Sequence, residues 1–142
     1  WFKSIMLITG PAKSGRSIFE ELVDLNIEEY REFCISKPGV TEGMPFGPDV
    51  LVFKVMGKMF ALCGLEPFVS FNAKCDPERA AELREQYDGI IPGYHMSKVH
   101  WNTISTDGSI SDKLMYELID HSYELITAGL SKKLREELKN IN

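Results

Sequence analysis

The segment ITGPAKSGRS, residues 8–17, has the residue types of a phosphate-binding loop. Gly10 and Gly15 are separated by four residues. Arg16 and Ser17 then stand where such loops carry lysine followed by serine or threonine. A glycine-rich turn before a helix directs backbone N–H groups at a phosphate, and a serine hydroxyl here could reach a magnesium ion. The spacing makes nucleotide binding one hypothesis for this chain.

The rest of the chain does not supply what such a nucleotide enzyme needs. That class uses parallel strands with crossover helices and an acidic residue that ends a second apolar strand and holds magnesium. Here the apolar run VLVFKVM ends at Gly57, and Asp107 lies in a turn after a polar strand. The sequence therefore favours residues 1–25 as an N-terminal extension that carries a degenerate loop.

A second group of residues has the chemistry of nucleic-acid contact. Lys54 and Lys58 flank the turn at Gly57, so a hairpin tip could present both. A later segment offers further charge and a ring for base stacking. The complete candidate set is Lys54, Lys58, Lys74, Lys98, His100 and Trp101. The alternative is that these lysines are solvated and protect sheet edges, with Trp101 in the core. The net charge of −5 argues against a broadly basic nucleic-acid binder.

A third candidate is the loop GMPFGPD, which presents an aromatic side chain between proline and glycine. Phe46 in this loop and Tyr94 further along are candidates for contact with a small ligand or a protein partner. The alternative is that Phe46 plugs an edge of the sheet.

Other reactive residue types do not form a convincing motif. The histidines His95, His100 and His121 lack a metal-binding spacing. The cysteines Cys34, Cys63 and Cys75 include no C-x-x-C pair, so we interpret them as reduced thiols. We predict no catalytic residues, no metal and no cofactor.

Composition places the chain among ordinary globular domains. It has 142 residues, of which 44% are hydrophobic and 26% charged, enough for one hydrophobic core. No apolar run reaches the roughly 18 residues of a membrane span. We therefore expect a protein that does not enter the membrane, and the reduced thiols predict a cytoplasmic one.

Periodicity and turn signals predict the elements. Apolar residues at helical spacing indicate a helix in residues 17–37, either continuous or broken near Asp24, where Asp24 or Asn26 could cap a new helix. Residues 37–49 are dense in proline and glycine and are predicted to be loop. Two strand-like runs around Gly57 and a third run after them predict an antiparallel meander.

The second half continues with helices and a strand. Asp76 and Pro77 begin a predicted helix that Gly89 closes. One or two strands follow, including HWNTIST, and two helices complete the chain. The first of these is capped by Ser111 or Asp112. The predicted class is α+β, with helices packed on one face of an antiparallel sheet.

Several strings resemble the MmcQ/YjbR family of small bacterial proteins: NIEEYREFCISKPGVTEGMPFGPDVLVFKVMGKMFAL, CDPERAAELREQY, PGYHMSKVHWNTI and LIDHSYELI. The resemblance covers about residues 26–140 and implies a CyaY-like fold for a domain of residues 26–142. It also implies the "double wing" mode of DNA binding, through hairpins, that is associated with the family. Residues 1–25 instead resemble the opening of a phosphate-loop kinase of the adenosylcobinamide kinase type.

Three functions follow in order of preference. The first is a non-enzymatic binding module for DNA. The second is an adaptor that binds a protein or a small ligand through the Phe46 loop and the segment from Tyr94 to Trp101. The third is nucleotide binding through residues 10–17.

Overall fold

The structure is a computed structural model that describes residues 25–93 and 96–141. In this part of the chain the elements follow one another in this order: α1 (Ile27–Ile35), β1 (Val40–Gly43), β2 (Val50–Val55), β3 (Lys58–Gly64), β4 (Ser70–Lys74), α2 (Pro77–Gln86), β5 (Ile90–Pro92), β6 (Trp101–Ser105), α3 (Asp112–Ala128) and α4 (Lys132–Lys139). None of these helices has the length and apolar character that crossing a bilayer requires.

The six strands form one sheet in the order β1-β2-β3-β4-β6-β5, and every neighbouring pair is antiparallel. The central helix α3 packs across β3 and β4. The predicted α+β class is confirmed, with the helices on one face of an antiparallel sheet.

Local signals account for the ends of the helices. Asn26 begins α1 through a capping box in which its side chain accepts a hydrogen bond from the Glu29 N–H at 2.8 Å. Asp76 caps α2, with proline at the first helical position. Ser111 caps α3. These short polar side chains satisfy N–H groups that a helix leaves unpaired at its start.

The turn between β2 and β3 is a two-residue hairpin. Gly57 has a φ of 84°, as predicted, and Met56 has a φ of 49°. Two consecutive positive φ values match the right-handed twist of the flanking strands. The Met56 N–H also donates to the carbonyl of Gly39 at 3.1 Å, which attaches this turn to the segment after α1.

The structure corrects two of the sequence predictions and decides a third that the sequence left open. The prediction that residues 37–49 are all loop is wrong, because Val40 and Thr41 pair with β2 as an edge strand. An edge strand tolerates the neighbouring glycines and prolines because one side of its backbone stays unpaired. Gly89 does not close α2, which ends at Gln86. The alternative of two strands after α2 is the correct one.

The core lies between the sheet and the helices and is centred on Tyr30 of α1. The Tyr30 side chain is fully buried, and its ring centroid lies 5.1 to 5.6 Å from the rings of Phe53, Phe68 and Phe71. Aromatic pairs at this separation contribute beyond the area that they bury. This cluster attaches α1 to strands β2 and β4.

Ser122 of α3 joins the helix layer to the sheet. Its hydroxyl donates to the Phe60 carbonyl at 2.6 Å and accepts from the Lys74 N–H at 2.9 Å. The register of β2 and β3 shifts between Phe53 and Lys54, and such an irregularity disrupts the strand ladder locally. The Ser122 hydroxyl supplies a partner to backbone groups at this irregular place.

Candidate functional site

The register of the sheet separates a helix-covered face from a face on which no helix of the described residues packs. We call the second the helix-free face. Side chains directly opposite in paired strands point to the same face. One row of paired residues crosses the helix-free face from edge to edge: Gly43, Val52, Leu62, Asn72, Thr103 and Ile91. In this row the Thr103 hydroxyl donates to Asn72 Oδ1 at 2.6 Å.

All six candidate nucleic-acid residues lie at one end of this sheet, which we call the basic end. In an antiparallel sheet the end of β2, the start of β3, the end of β4 and the start of β6 coincide. These positions carry Lys54, Lys58, Lys74 and Trp101, in that order. Lys98 and His100 lie in the turn just before β6 and are exposed. Residues far apart in sequence are thereby brought to one end.

The two faces divide this group. Lys54 pairs with Met59, and Lys74 pairs with Trp101, so all four lie on the helix-free face. Lys58 is exposed and sits opposite Val55, whose side chain belongs to the core under the helices. The hairpin tip therefore carries both predicted lysines but does not present them on one face.

Trp101 is only 9% exposed and lies outside the core cluster beneath the helices. A Cβ placed on Gly93 would lie 2.7 Å from the Trp101 Cβ, so the two backbones approach closely. Its burial removes the ring from the surface, and it offers little area for stacking on a base.

Arg84 of α2 positions the turn that carries Lys98 and His100. Its Nη2 donates to the Lys98 carbonyl at 2.6 Å, and its Nε donates to Asn102 Oδ1 at 2.7 Å. The Cys75 N–H donates to the His100 carbonyl at 2.8 Å. Sequence reasoning missed this role of Arg84, because nothing in the pattern of α2 distinguishes it from a solvated arginine.

Charge is segregated along the sheet. The acidic loop residues Asp49, Glu66, Asp88 and Asp107 border the ends of strands opposite to the basic end. The strands themselves contain one acidic residue, Glu42. It is paired with Phe53, which faces the core, so Glu42 lies on the helix-covered face. Its carboxylate accepts two hydrogen bonds from Arg31, at 2.5 and 2.8 Å. Most other acids of the described chain lie on helices. No strand residue on the helix-free face is acidic, and the acidic loops border the end of that face opposite to the lysines.

Asp76 is the acidic residue that comes nearest in sequence to the basic end. Its carboxylate caps α2 by accepting from the Arg79 N–H at 3.2 Å. This interaction with a helix N-terminus offsets part of its charge.

The helix-free face also contains a cavity of about 440 Å³. Its lining residues are mostly apolar: Phe46, Val50, Leu62, Cys63, Gly64, Ser70, Phe71, Asn72, Met96 and Thr103. A second depression of about 420 Å³ lies between Lys54 and the loop residues Met44 and Pro45. Cavities of this size are in the range that small organic ligands occupy.

Phe46 is 63% exposed and lines the first cavity. The alternative that it plugs a sheet edge is therefore wrong. Tyr94, the other residue proposed for ligand contact, lies outside the described residues, as does His95. The phosphate-loop residues Gly10, Gly15, Arg16 and Ser17 also lie outside them, so nucleotide binding there stays a prediction.

The cysteines do not have the character of nucleophiles. All three are free and buried. Burial raises the pKa of the Cys63 thiol to about 12 and raises the pKa of Cys34 still further, which keeps both in the unreactive thiol form at neutral pH. In the described part of the chain, no three His, Cys, Asp or Glu side chains come together as a metal site.

His121 on α3 makes the contact between α3 and the start of α2 dependent on pH. Its Nε2 accepts a hydrogen bond from the Asp76 N–H at 3.1 Å, which requires the neutral ring. Burial first, and then the Arg79 charge, lower the pKa of His121 below its ordinary 6.5, against the opposing effects of Asp76 and Glu124.

The folded protein disfavours protonation of His121. Neutral His121 therefore makes its full contribution to the free energy of unfolding above pH 6.5. This contribution should be lost as the pH falls from there through the lowered pKa. We expect the free energy of unfolding, measured with urea between pH 7.5 and 5, to fall less for His121→Gln than for the unsubstituted protein. Equal slopes for the two proteins would contradict this.

Comparison with known proteins agrees with this architecture. The family model named YjbR matches residues 35–125. The chain belongs to the YjbR family. Among curated relatives of this YjbR family member, the uncharacterized protein YbdF of Escherichia coli O157:H7 is 35% identical over 113 residues, covering 79% of this chain and 93% of YbdF. The uncharacterized protein YjbR of Escherichia coli K12 is 31% identical over 115 residues, covering 80% and 98%.

Solved structures support the same assignment. The crystal structure of Deinococcus radiodurans protein DR2400, a DUF419 domain, is 38% identical with a TM-score of 0.75, covering 80% of this chain and 88% of that one. A Pseudomonas syringae protein is 28% identical with a TM-score of 0.62, covering 71% and 98%. The family and the fold that the sequence predicted are both confirmed.

Proposed function

We propose that this YjbR family member is a non-enzymatic module that binds nucleic acid at the basic end of the sheet. The observation that carries the proposal is the segregation of charge. Four lysines, Lys54, Lys58, Lys74 and Lys98, lie at one end of the sheet, whereas the acidic loop residues that border the strands, apart from Asp76, lie at the opposite end. A local basic surface can attract phosphates even when the whole chain is acidic.

Reversing the charge of this surface should abolish most of the binding. We expect the double variant Lys54→Glu/Lys74→Glu to bind a fluorescein-labelled oligonucleotide on the order of tenfold more weakly at low salt, because it removes phosphate contacts and adds repulsion. Both side chains are half-buried on the helix-free face, so their geometry is restricted. Fluorescence anisotropy measures the change, and circular dichroism verifies that the variant is folded.

The matched control is Lys113→Glu/Lys132→Glu, which changes net charge equally. Both lysines are exposed on helices α3 and α4. We expect its affinity to stay within about twofold of the unsubstituted protein, since only long-range screened charge is altered. The proposal fails if the two double variants bind equally well, or if the unsubstituted protein does not bind oligonucleotides at low salt.

The cavity on the helix-free face supports a second candidate function, an adaptor for a small apolar ligand or a protein side chain. Its apolar lining and the exposed Phe46 are the specific observations. Such binding would be insensitive to salt and to Lys54→Glu/Lys74→Glu. Isothermal titration calorimetry with a small apolar ligand at low and high salt separates the two candidates, because only nucleic-acid binding should weaken as salt is added.

We also infer a reducing cellular location, the cytoplasm. The supporting observation is that Cys34, Cys63 and Cys75 are all free. Disulfides are rare in proteins of reducing compartments.

A further inference from the structure

A double-wing protein would insert two hairpins into a duplex, and described residues of both hairpins contact the helices or the segment after α1. Met56 in the first turn lies beside Gly39, and a Cβ on Gly39 would lie 3.2 Å from Met56 Sδ and 2.6 Å from Leu138 Cδ1 of α4. Met56 and Leu138 both pack against the core. The first hairpin tip is therefore part of the compact domain.

In the second hairpin, the described residues just before β6 are anchored by α2. Arg84 donates to the Lys98 carbonyl at 2.6 Å, and the Trp101 N–H donates to the Ser97 carbonyl at 2.9 Å. The described residues before β6 are thus bonded to α2 and to β6. The helix-free face, which extends from both turns toward the loop of residues 44–46, offers a surface for a ligand.

That face combines the three features that single-stranded nucleic acid requires. Lys54 and Lys74 supply charge for phosphates. Phe46 supplies an exposed aromatic ring at the mouth of a largely apolar cavity. Asn72 and Thr103, which are hydrogen-bonded to each other, add polar groups to the cavity wall. Single strands are bound by stacking bases on aromatic side chains beside a positively charged track.

The second depression connects these features. It is lined by Lys54 and Val52 on one side and by residues 41–45 on the other, while Phe46 lines the first cavity. The lining includes Glu42, whose carboxylate is paired with Arg31. Val52 and Leu62, which are directly paired in the sheet, belong one to each depression. The loop of residues 44–46 thus borders two adjacent depressions, one that contains the charged Lys54 and Glu42 and one that is largely apolar.

We propose that the helix-free face binds single-stranded nucleic acid, with one unpaired base inserted beneath Phe46 and the adjoining phosphates near Lys54. This rests on the proposed function and narrows its ligand class. A duplex keeps its bases stacked, so it cannot place one in the cavity without paying for extrusion.

The test compares three labelled probes of equal length with the full chain: oligothymidylate, a duplex of mixed sequence and an abasic oligodeoxyribose phosphate. We expect oligothymidylate to bind at least tenfold more tightly than the duplex or the abasic chain. Phe46→Ala should weaken oligothymidylate binding by about tenfold and leave the abasic chain unaffected. Ile141→Ala, an exposed apolar residue that follows α4 and lies outside both depressions, is the matched control and should change neither.

Different failures separate the two proposals. Equal binding of the duplex and the single strand, still lost in Lys54→Glu/Lys74→Glu, would overturn the single-strand inference and leave the proposed function standing. Absence of binding to every probe would overturn both. Binding of the abasic chain as tightly as oligothymidylate would also overturn the inference, because no base would then be needed.

Discussion

Gly93→Ala should destabilise the protein by about 3 kcal/mol, because the added methyl group has no room. Gly93 follows β5, and its N–H donates to the Trp101 carbonyl at 2.7 Å. The new Cβ would lie 2.7 Å from the Trp101 Cβ, 3.0 Å from its carbonyl oxygen and 3.1 Å from its carbonyl carbon. These are backbone atoms and the root of a side chain, so no rotamer change relieves the clash. Strand β5 would have to separate from β6.

The measurement is thermal or urea unfolding, where the midpoint temperature should fall by roughly 10 °C. Gly43→Ala is the matched control, because a Cβ at Gly43 meets nothing within 4 Å. We expect Gly43→Ala to change the free energy of unfolding by less than about 1 kcal/mol. If both variants unfold at the same midpoint, the close approach of Gly93 and Trp101 is not present in solution.

Two substitutions of Tyr30 should act in opposite directions. Tyr30→Ala should cost about 4 kcal/mol of the free energy of unfolding, because it empties the centre of an aromatic cluster. Tyr30→Phe keeps the ring and removes a hydroxyl that, among the described residues, has no hydrogen-bond partner of ordinary geometry. Burial, and then the neighbouring Cys34 and Cys63, raise the pKa of Tyr30 far above its ordinary value.

We therefore expect Tyr30→Phe to be neutral or to stabilise the protein by up to about 1 kcal/mol, since a buried polar group without a partner carries a desolvation cost. Urea unfolding of both variants measures the difference. A loss of more than about 1 kcal/mol in Tyr30→Phe would show that the hydroxyl makes a useful hydrogen bond, for which the two thiols are the nearest acceptors.

What the sequence predicted well depends on short-range physics. The turn at Gly57 and the caps Asn26, Asp76 and Ser111 are decided by residues within one or two turns of the chain. Such local preferences act whatever the rest of the fold does. They are sufficient, with apolar periodicity, to predict an antiparallel α+β fold.

What the sequence missed depends on tertiary pairing. Strand β1 exists because Val40 and Thr41 meet β2, although the surrounding glycines and prolines predict a loop. The role of Arg84 needs the close approach of α2 to a turn fourteen residues later in the chain. The cavity beneath Phe46 likewise needs the register of the central strands. No local pattern encodes contacts between residues this far apart.

The two edges of the described sheet have a consequence for self-association. Strand β1 spans four residues and carries the charged Glu42, and β5 spans three residues and ends in Pro92. Short edges with a charge or a proline are poor templates for the backbone of a second chain. Edge-to-edge aggregation is thereby discouraged even though the sheet does not close on itself. In the described residues, one face of the sheet is free of helices, and the short edges still disfavour growth of that sheet by addition of strands from other chains.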